Sequence, residues 1–177
     1  MITAMGNVFG NAPQFIQFPS SLPGVKNLEP QNTVKNELLK LIEDNHYDSS
    51  IRLEENARGI TIHILEDILF PSGTADLSPD SKILLDKLAV ILKELPNDIR
   101  IEGHTDNIPI NSALYPSNWH LSVARALNTA YYLIQNQELS PDKVSIVGYS
   151  EYKPIAKNST PEGREQNRRV DIVILTK

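Results

Sequence analysis

Hydrophobic residues recur along this chain with the 3.6-residue period of a helix in some stretches and the two-residue period of a strand in others. The clearest helical stretch follows Ser78, where Pro79 and Asp80 are residue types that favour a first turn. Its predicted buried stripe consists of Leu84, Leu88, Ile91, Leu92 and Leu95. The helix is expected to end before Pro96, which cannot continue it.

Alternating patterns typical of strands fill other regions of the chain. The first two strands are predicted to form a hairpin with its turn at 56–59, and its alternating apolar residues are Ile51, Leu53, Ile60, Ile62 and Ile64. His63 falls on the opposite face, where a single strand histidine is usually a surface residue. Further strands are predicted at 99–103, in KVSIVGYS and near the end of the chain. That last strand is apolar on both faces (Val170, Ile172 and Ile174, then Val173 and Leu175), which predicts a central position.

A third helix is predicted from about Trp119 to Asn136, capped by Ser117 or Asn118. At about 100° per residue, the apolar residues that share one arc are Val123, Ala126, Leu127, Ala130, Leu133 and Ile134. Arg125 lies outside this arc, and we therefore expect it on a face that the core does not need.

Three helices and about five strands in mixed order predict an α/β fold, a mixed β-sheet packed with helices. This domain is expected to cover residues 32–177 and to begin with a helix capped by Asn32 or Thr33, whose stripe is Val34, Leu38, Leu41 and Ile42. Residues 1–31 are rich in proline and carry no charge before Lys26, which indicates a linker. Their apolar residues, Val8, Phe9, Phe15, Ile16 and Phe18, leave open a segment that docks onto a partner or a membrane surface.

Composition narrows the classes of function. The chain has 177 residues, which suits one domain, and a net charge of -5, which offers no global attraction for nucleic acid. It contains no cysteine, so disulfide and thiol chemistry are excluded. No apolar run approaches the roughly 20 residues of a membrane-spanning helix, and the N-terminus is a poor secretory signal.

Candidate chemistry centres on a long polar loop at 107–118, because loops of this length inside a compact domain are usually functional. Asp106 precedes the loop and Arg125 follows it. Two interpretations remain open, namely that the two charges pair with each other or that they bind the ammonium and carboxylate groups of a zwitterion. Asn118 would add an amide that can donate and accept hydrogen bonds.

Weaker alternatives come from other polar residues. His104, Asp106 and His120 could form a zinc or iron site, although no HExxH helix is present. The sequence contains no GxSxG turn, so it gives no sign of a serine nucleophile. Arg164, Arg168 and Arg169 form a basic group that is usually a solvated face, and because Arg168 and Arg169 alternate, only one of them can face a given pocket.

Three blocks carry a resemblance to a known family: GHTDNIPI, YPSNWHLSVARA and VGYSEYKPIAKNSTPEGREQNRRVDI. They resemble the signature of the OmpA C-terminal-like domain, a peptidoglycan-binding family, over about residues 60–177. The NIPI insertion and the SNWxLSxARA form are most similar to flagellar motor stator proteins of the MotB type. Ser150 departs from the pattern, because many relatives have glycine there.

The resemblance implies a domain that holds the peptide stem of peptidoglycan, is not an enzyme and uses no cofactor or metal. It puts the ligand-binding acid at Asp106 and the arginine at Arg125. The other residues that it assigns to the site are Thr105, Asn118 and Leu121, with Arg169 and Phe70 less directly.

The resemblance also implies partners and a location. A MotB-like protein is a homodimer that anchors the stator to the cell wall on the periplasmic side of the inner membrane. Its membrane helix pairs with a MotA channel subunit, and the 177 residues contain no such helix, so residues 1–31 would correspond to the plug segment after it. The alternative is an OmpA-like wall-binding envelope protein unrelated to the motor; its outer-membrane lipoprotein form would need a cysteine that this chain lacks.

Overall fold

The computed structural model describes residues 29–177. Most of the predicted linker, and with it the plug or docking interpretation of its apolar residues, lies outside the described part. The first helix, α1 (Glu29–Asp44), begins earlier than the predicted caps at Asn32 or Thr33. Pro30 occupies its second position, where a missing N–H costs no helical hydrogen bond.

The described residues contain five α-helices and five strands. After α1, the helices are α2 (Glu66–Leu69), α3 (Pro79–Leu92), α4 (Asn118–Gln137) and α5 (Pro161–Asn167). The strands are β1 (Ile51–Asn56), β2 (Gly59–Leu65), β3 (Ile99–His104), β4 (Val144–Gly148) and β5 (Arg169–Leu175). None of the described helices is both long enough and apolar enough to cross a membrane.

The strands form one mixed sheet in the order β1-β2-β5-β3-β4. β1 and β2 are the predicted hairpin, and β5 lies antiparallel to both of its neighbours, β2 and β3. β3 and β4 are parallel and are connected through α4, as a crossover unit requires. The prediction of a mixed α/β sheet with the last strand in the centre is confirmed.

The hydrophobic core lies between one face of the sheet and the long helices. The sheet supplies the isoleucines and valines predicted to share a face, Ile60, Ile62, Ile64, Ile99, Ile101, Val170, Ile172 and Ile174. Leu84, Leu88 and Leu92 of α3 are buried as predicted, whereas Ile91 and Leu95, which lies beyond the end of α3, are only partly buried. The cap of α3 is also confirmed, since Ser78 Oγ accepts from Ser81 N at 3.0 Å.

Helix α4 buries only part of the face that its apolar residues predict, namely Ala126, Ala130 and Leu133. Val123 and Leu127 are 47% and 44% exposed, while Arg125 is 1% exposed, so the true face is rotated by about a quarter turn. The cause is close packing against the sheet, because a Cβ at Gly103 would lie 1.9 Å from the carbonyl oxygen of Ser122. The expectation that Arg125 lies off the buried face was wrong.

Helix α5 is not among the three helices that the sequence predicts. Its start nevertheless carries a recognisable signal, in which Thr160 caps the helix and Pro161 is the first helical residue. Thr160 Oγ1 accepts from Gly163 N at 3.0 Å. Arg168 is the single residue between the end of α5 and β5, and Arg169 is the first residue of β5.

Candidate functional site

A pocket of about 340 Å³ opens where the loop after β3 meets the start of α2 and the second turn of α4. Asp106 lies two residues beyond β3, Glu66 is the first residue of α2, and Arg125 comes from α4. Arg168, directly before β5, closes the fourth side. Four elements that are distant in sequence therefore bring two arginines and two carboxylates together.

These four side chains are linked in a row by ion pairs, and positive and negative charges alternate along it. Arg125 Nη1 donates to one oxygen of Glu66, and Arg168 Nε donates to the other at 2.7 Å. Arg168 Nη1 then donates to Asp106 Oδ2 at 2.9 Å. Burial alone would lower the pKa of Arg168, but its bond to Asp106 and the charge of Glu66 raise it, so the guanidinium stays charged. Among the described residues, Asp106 and Arg125 are linked through Glu66 and Arg168 and do not pair directly.

The guanidinium of Arg125 is buried and only partly satisfied. Its Nε donates to the carbonyl oxygen of Thr74 at 2.9 Å, and its Cζ lies 5.1 Å from the ring centroid of Phe70. Its Nη2 is buried without a hydrogen-bond partner among the described residues. Arg125 is one of the residues that line the pocket, and its Nη2 is a charged donor that no described residue uses.

Asp106 is held in place by the backbone of its own loop. Oδ1 accepts from Ile108 N at 2.9 Å, while Thr105 Oγ1 donates to the carbonyl oxygen of Asp106 at 2.9 Å. Thr105 N donates to the carbonyl oxygen of Ser150 at 2.9 Å. Ser150 has φ +54°, which explains why glycine suits that position in the family pattern. The carboxylate is therefore oriented before any ligand arrives.

Asn118 shapes the loop, and its amide is already in use. Its Oδ1 accepts from Ile110 N at 3.0 Å, and its Nδ2 donates to the carbonyl oxygens of Ile108 at 3.0 Å and Asp106 at 3.3 Å. The sequence suggested an amide free for a ligand, whereas the structure gives it the task of positioning residues 106–110. Leu121 is 5% exposed and supplies an apolar wall of the pocket.

Two predicted site residues are not brought into the pocket. Phe70 is 2% exposed and supports Arg125 from the core side. Arg169 points to the other face of the sheet, where its Nε donates to Asp171 at 3.0 Å. As predicted, only one of the two adjacent arginines faces the pocket, but that arginine is Arg168 and not Arg169. Glu66 was missed altogether, because nothing in the sequence marks a residue 59 positions before Arg125 as its partner.

A second polar cluster lies on the sheet face opposite the core. Asp171 Oδ1 is 2.8 Å from His63 Nδ1, and Asp171 Oδ2 is 3.2 Å from His104 Nε2. Burial would raise the pKa of Asp171, but its bonds to His104 and His63 and the charge of Arg169 lower it well below its usual range. Burial lowers the pKa of His104. His63 is thus 6% exposed inside this network, where the sequence suggested a surface residue.

The three residues considered from the sequence as metal ligands, His104, Asp106 and His120, have separate partners and do not form a metal site. His104 joins Asp171, Asp106 joins Arg168, and the exposed His120 lies 2.8 Å from Ser117 Oγ. A different set of donors, Glu102, His104 and Asp171, has ligand atoms within 4.8 Å of one another. Arg58 already binds Glu102 at 3.0 Å and Arg169 binds Asp171, so two guanidinium charges oppose a metal cation there. We interpret this cluster as a structural ion network.

Comparison with known proteins identifies relatives of this fold and site. Residues 69–168 match the model of the OmpA family. Motility protein B of Bacillus subtilis is 40% identical over 148 residues, covering 83% of this chain and 57% of its own length. The chain therefore spans little more than half of that curated relative.

Two solved structures share the fold. The cell wall anchor of the type VI secretion system (T6SS) from Pseudomonas aeruginosa has a TM-score of 0.72 at 31% identity, covering 79% of this chain and 97% of that one. The periplasmic domain of Helicobacter pylori MotB (residues 78-256) has a TM-score of 0.66 at 28% identity, covering 72% and 82%. The matched family region contains Phe70, Asp106, Arg125 and Arg168, and Glu66 lies just before it. On these matches, the chain belongs to the OmpA family.

Proposed function

We propose that this domain binds the peptide stem of peptidoglycan without catalysis, and that it anchors a flagellar stator to the cell wall. The observation that carries the proposal is that Arg125, whose buried Nη2 has no hydrogen-bond partner in the described part of the chain, lines the same pocket as the carboxylate of Asp106. A stem peptide offers both a carboxylate and an amino group. The guanidinium would bind the first and Asp106 the second.

The geometry suits binding better than catalysis. Both carboxylates of the pocket are held by Arg168, so neither is free to act as a general base. The opposite charges also balance within the pocket, which keeps two buried or half-buried arginines stable before the ligand arrives. Such a preorganised site loses little conformational freedom on binding.

Pull-down with purified cell wall tests the pocket. Asp106→Asn removes the charge and keeps the shape, and we expect binding to weaken about 10- to 100-fold, the usual range for a hydrogen bond to a charged group. Arg125→Lys keeps a charge but cannot form the planar two-pronged bond, so it should also weaken binding. Asp76→Asn and Arg52→Gln, at exposed positions outside the pocket, are the matched controls. Binding by Asp106→Asn equal to that of the controls would exclude this pocket.

The stator role is supported by the similarity to Motility protein B of Bacillus subtilis and to the periplasmic domain of Helicobacter pylori MotB. In this role the domain would belong to a dimer, facing the wall from the inner membrane, with a MotA-type channel subunit as partner. The T6SS cell wall anchor shows that a related domain also occurs outside the motor. A wall-binding envelope protein is therefore the second candidate.

A chimera separates the two candidates. The matching region of Bacillus subtilis Motility protein B is replaced by residues 29–177, and swimming is measured in cells that lack the native protein. Restored swimming that is lost with Asp106→Asn supports the stator role. A chimera that binds the wall but leaves the cells immobile favours the general wall-binding protein.

A further inference from the structure

The ion network on the sheet face opposite the core has one carboxylate at its centre, that of Asp171. Its Oδ1 lies 2.8 Å from His63 Nδ1 and accepts from Arg169 Nε at 3.0 Å. Its Oδ2 lies 3.2 Å from His104 Nε2. His63 belongs to β2, His104 to β3 and Arg169 to β5, so the Asp171 side chain connects three strands of the sheet.

The same three strands present three of the four charges of the pocket. Each partner of Asp171 is separated from one of these charges by three, two or one positions along the chain, in the pairs His63 and Glu66, His104 and Asp106, and Arg169 and Arg168. The strand ends lie side by side, because Leu65 and His104 both pair with Arg169. A shift of these ends on one face of the sheet would therefore move the charges in the pocket.

The contacts of Asp171 can hold such a position because they are buried. Asp171 and its three partners are each no more than 6% exposed. Hydrogen bonds to an ionised group are short and directional, and they are stronger where water does not compete with them. The network therefore restrains the strand ends more closely than an exposed ion pair would.

The loop after β4 makes a second connection between the network and the pocket. The Tyr149 ring stacks on that of His104 with centroids 5.3 Å apart, and Tyr149 N donates to the carbonyl oxygen of Gly103 at 2.9 Å. The carbonyl oxygen of Ser150 accepts from Thr105 N at 2.9 Å. Thr105 lines the pocket, so the end of β3 is held by this loop as well as by Asp171.

We infer that Asp171 is a positioning residue for wall binding, which holds Glu66, Asp106 and Arg168 in the arrangement that the stem peptide requires. Asp171 does not itself line the pocket. The inference rests on the proposed function and adds a residue outside the pocket on which affinity depends. Binding groups must be held within about 0.5 Å of their productive geometry, and surrounding hydrogen bonds supply that restraint.

Titration of the full chain with purified cell wall tests this role. Asp171→Asn keeps the shape of the side chain and removes its charge, and we expect affinity to fall about tenfold or more, as it does when the outer partners of metal ligands are removed. The matched control is Ile172→Ala, because Ile172 is fully buried on the same strand and faces the core. This variant destabilises the fold without touching the network, so its affinity should equal that of the unmodified chain.

Two substitutions at His63 separate hydrogen bonding from packing. His63→Asn keeps an N–H group that can replace Nδ1, and it should retain most of the affinity. His63→Leu removes the donor and should weaken binding, though less than Asp171→Asn does, because His104 and Arg169 still contact the carboxylate. Circular dichroism confirms that each variant is folded, and the His63 pair decides the question if Asp171→Asn does not fold.

The Nε–H signal of Arg168 in NMR spectra reports on the pocket directly. Arg168 Nε donates to Glu66 at 2.7 Å, so we expect its proton to exchange slowly with water in the unmodified chain. Asp171→Asn should shift this signal and speed its exchange, whereas Ile172→Ala should leave both unchanged. The signal is assigned by its absence in Arg168→Lys.

The outcomes separate this inference from the proposed function. Wall affinity of Asp171→Asn, or of His63→Leu in its place, equal to that of Ile172→Ala overturns the positioning role alone. Weaker binding with an unchanged Arg168 signal also overturns it, since the effect would not then pass through the pocket. Absence of wall binding by the unmodified chain overturns the proposed function and this inference together.

Discussion

Replacing Glu66 with glutamine removes the carboxylate that joins the two arginines of the pocket. Glu66 accepts from Arg125 and from Arg168, and its side chain is 16% exposed. Glutamine has almost the same shape, so the substitution changes charge and hydrogen bonding without creating a cavity. Its NH₂ group would face a guanidinium donor in place of one carboxylate oxygen.

The expected magnitude follows from the burial of the two arginines. Arg125 is 1% exposed, and breaking a buried ion pair costs about 3–5 kcal/mol because the remaining charge stays desolvated. Arg168 has a side chain that is 31% exposed and keeps its bond to Asp106, so its loss adds at most about 1 kcal/mol. One retained carbonyl oxygen and access to water offset part of the total. We expect Glu66→Gln to reduce the free energy of unfolding by about 2–4 kcal/mol.

Urea unfolding at pH 7, followed by circular dichroism, measures this loss. The control is Glu94→Gln, an exposed carboxylate after α3, which should change stability by no more than about 0.5 kcal/mol. Arg125→Met and the double variant complete a cycle, and we expect a coupling energy above about 1 kcal/mol between positions 66 and 125. If Glu66→Gln costs no more than Glu94→Gln, the carboxylate does not stabilise the buried guanidinium, and our description of the pocket is wrong.

Three further predictions concern the loop, the helix contact and the second polar cluster. Asn118→Ala should weaken wall binding more than stability, with a loss of about 1–2 kcal/mol in binding free energy by wall titration, because residues 106–110 lose their shared hydrogen bonds. Gly103→Ala should reduce the free energy of unfolding by more than about 3 kcal/mol in urea, because its Cβ would meet the carbonyl oxygen of Ser122 at 1.9 Å; an unchanged midpoint would contradict the close contact. The pKa of His104 is lower in the folded state than in the unfolded chain, so stability should fall as pH decreases below about 6.5. His104→Gln should flatten that fall when urea midpoints are compared between pH 7.5 and 5, and an identical slope would refute the assignment.

The charge arrangement of the pocket has a consequence for binding. A ligand carboxylate that reaches Nη2 of Arg125 enters a site where Glu66 already neutralises the same guanidinium. If the amino group of the ligand binds Asp106, as we propose, it restores the balance of charge. A ligand with both groups is therefore favoured over a simple carboxylate, because the second charge offsets the repulsion that the first meets.

Local patterns were sufficient to predict most of the fold. The hairpin at 51–65, the capped helix after Ser78 and the central last strand follow from side-chain period and from the residues that start and stop elements. Asp106 was also singled out from sequence, because it precedes a long polar loop, and the structure places it in the pocket. These features depend on neighbours within one or two turns of the chain.

The pocket itself required the tertiary structure. Apolar residues predicted the buried face of α4 only in part, since Arg125 is buried while Val123 and Leu127 are exposed. Gly103 admits the backbone of Ser122 at this contact. Periodicity shows which residues share a face, but it does not show which face meets the rest of the protein when a buried arginine belongs there.

The sequence alone predicted the five strands, three of the five described α-helices and two of the four charges in the pocket. Only the tertiary structure selected Arg168 in place of Arg169 and added Glu66, through contacts between residues 59 to 102 positions apart. The physical reason is that hydrogen-bond partners at such separations are chosen by the topology of the sheet, which places the end of β3, the start of β5 and the end of β2 at the same edge. Local propensity acts over a few residues and carries no information about which strand ends lie next to each other in the sheet.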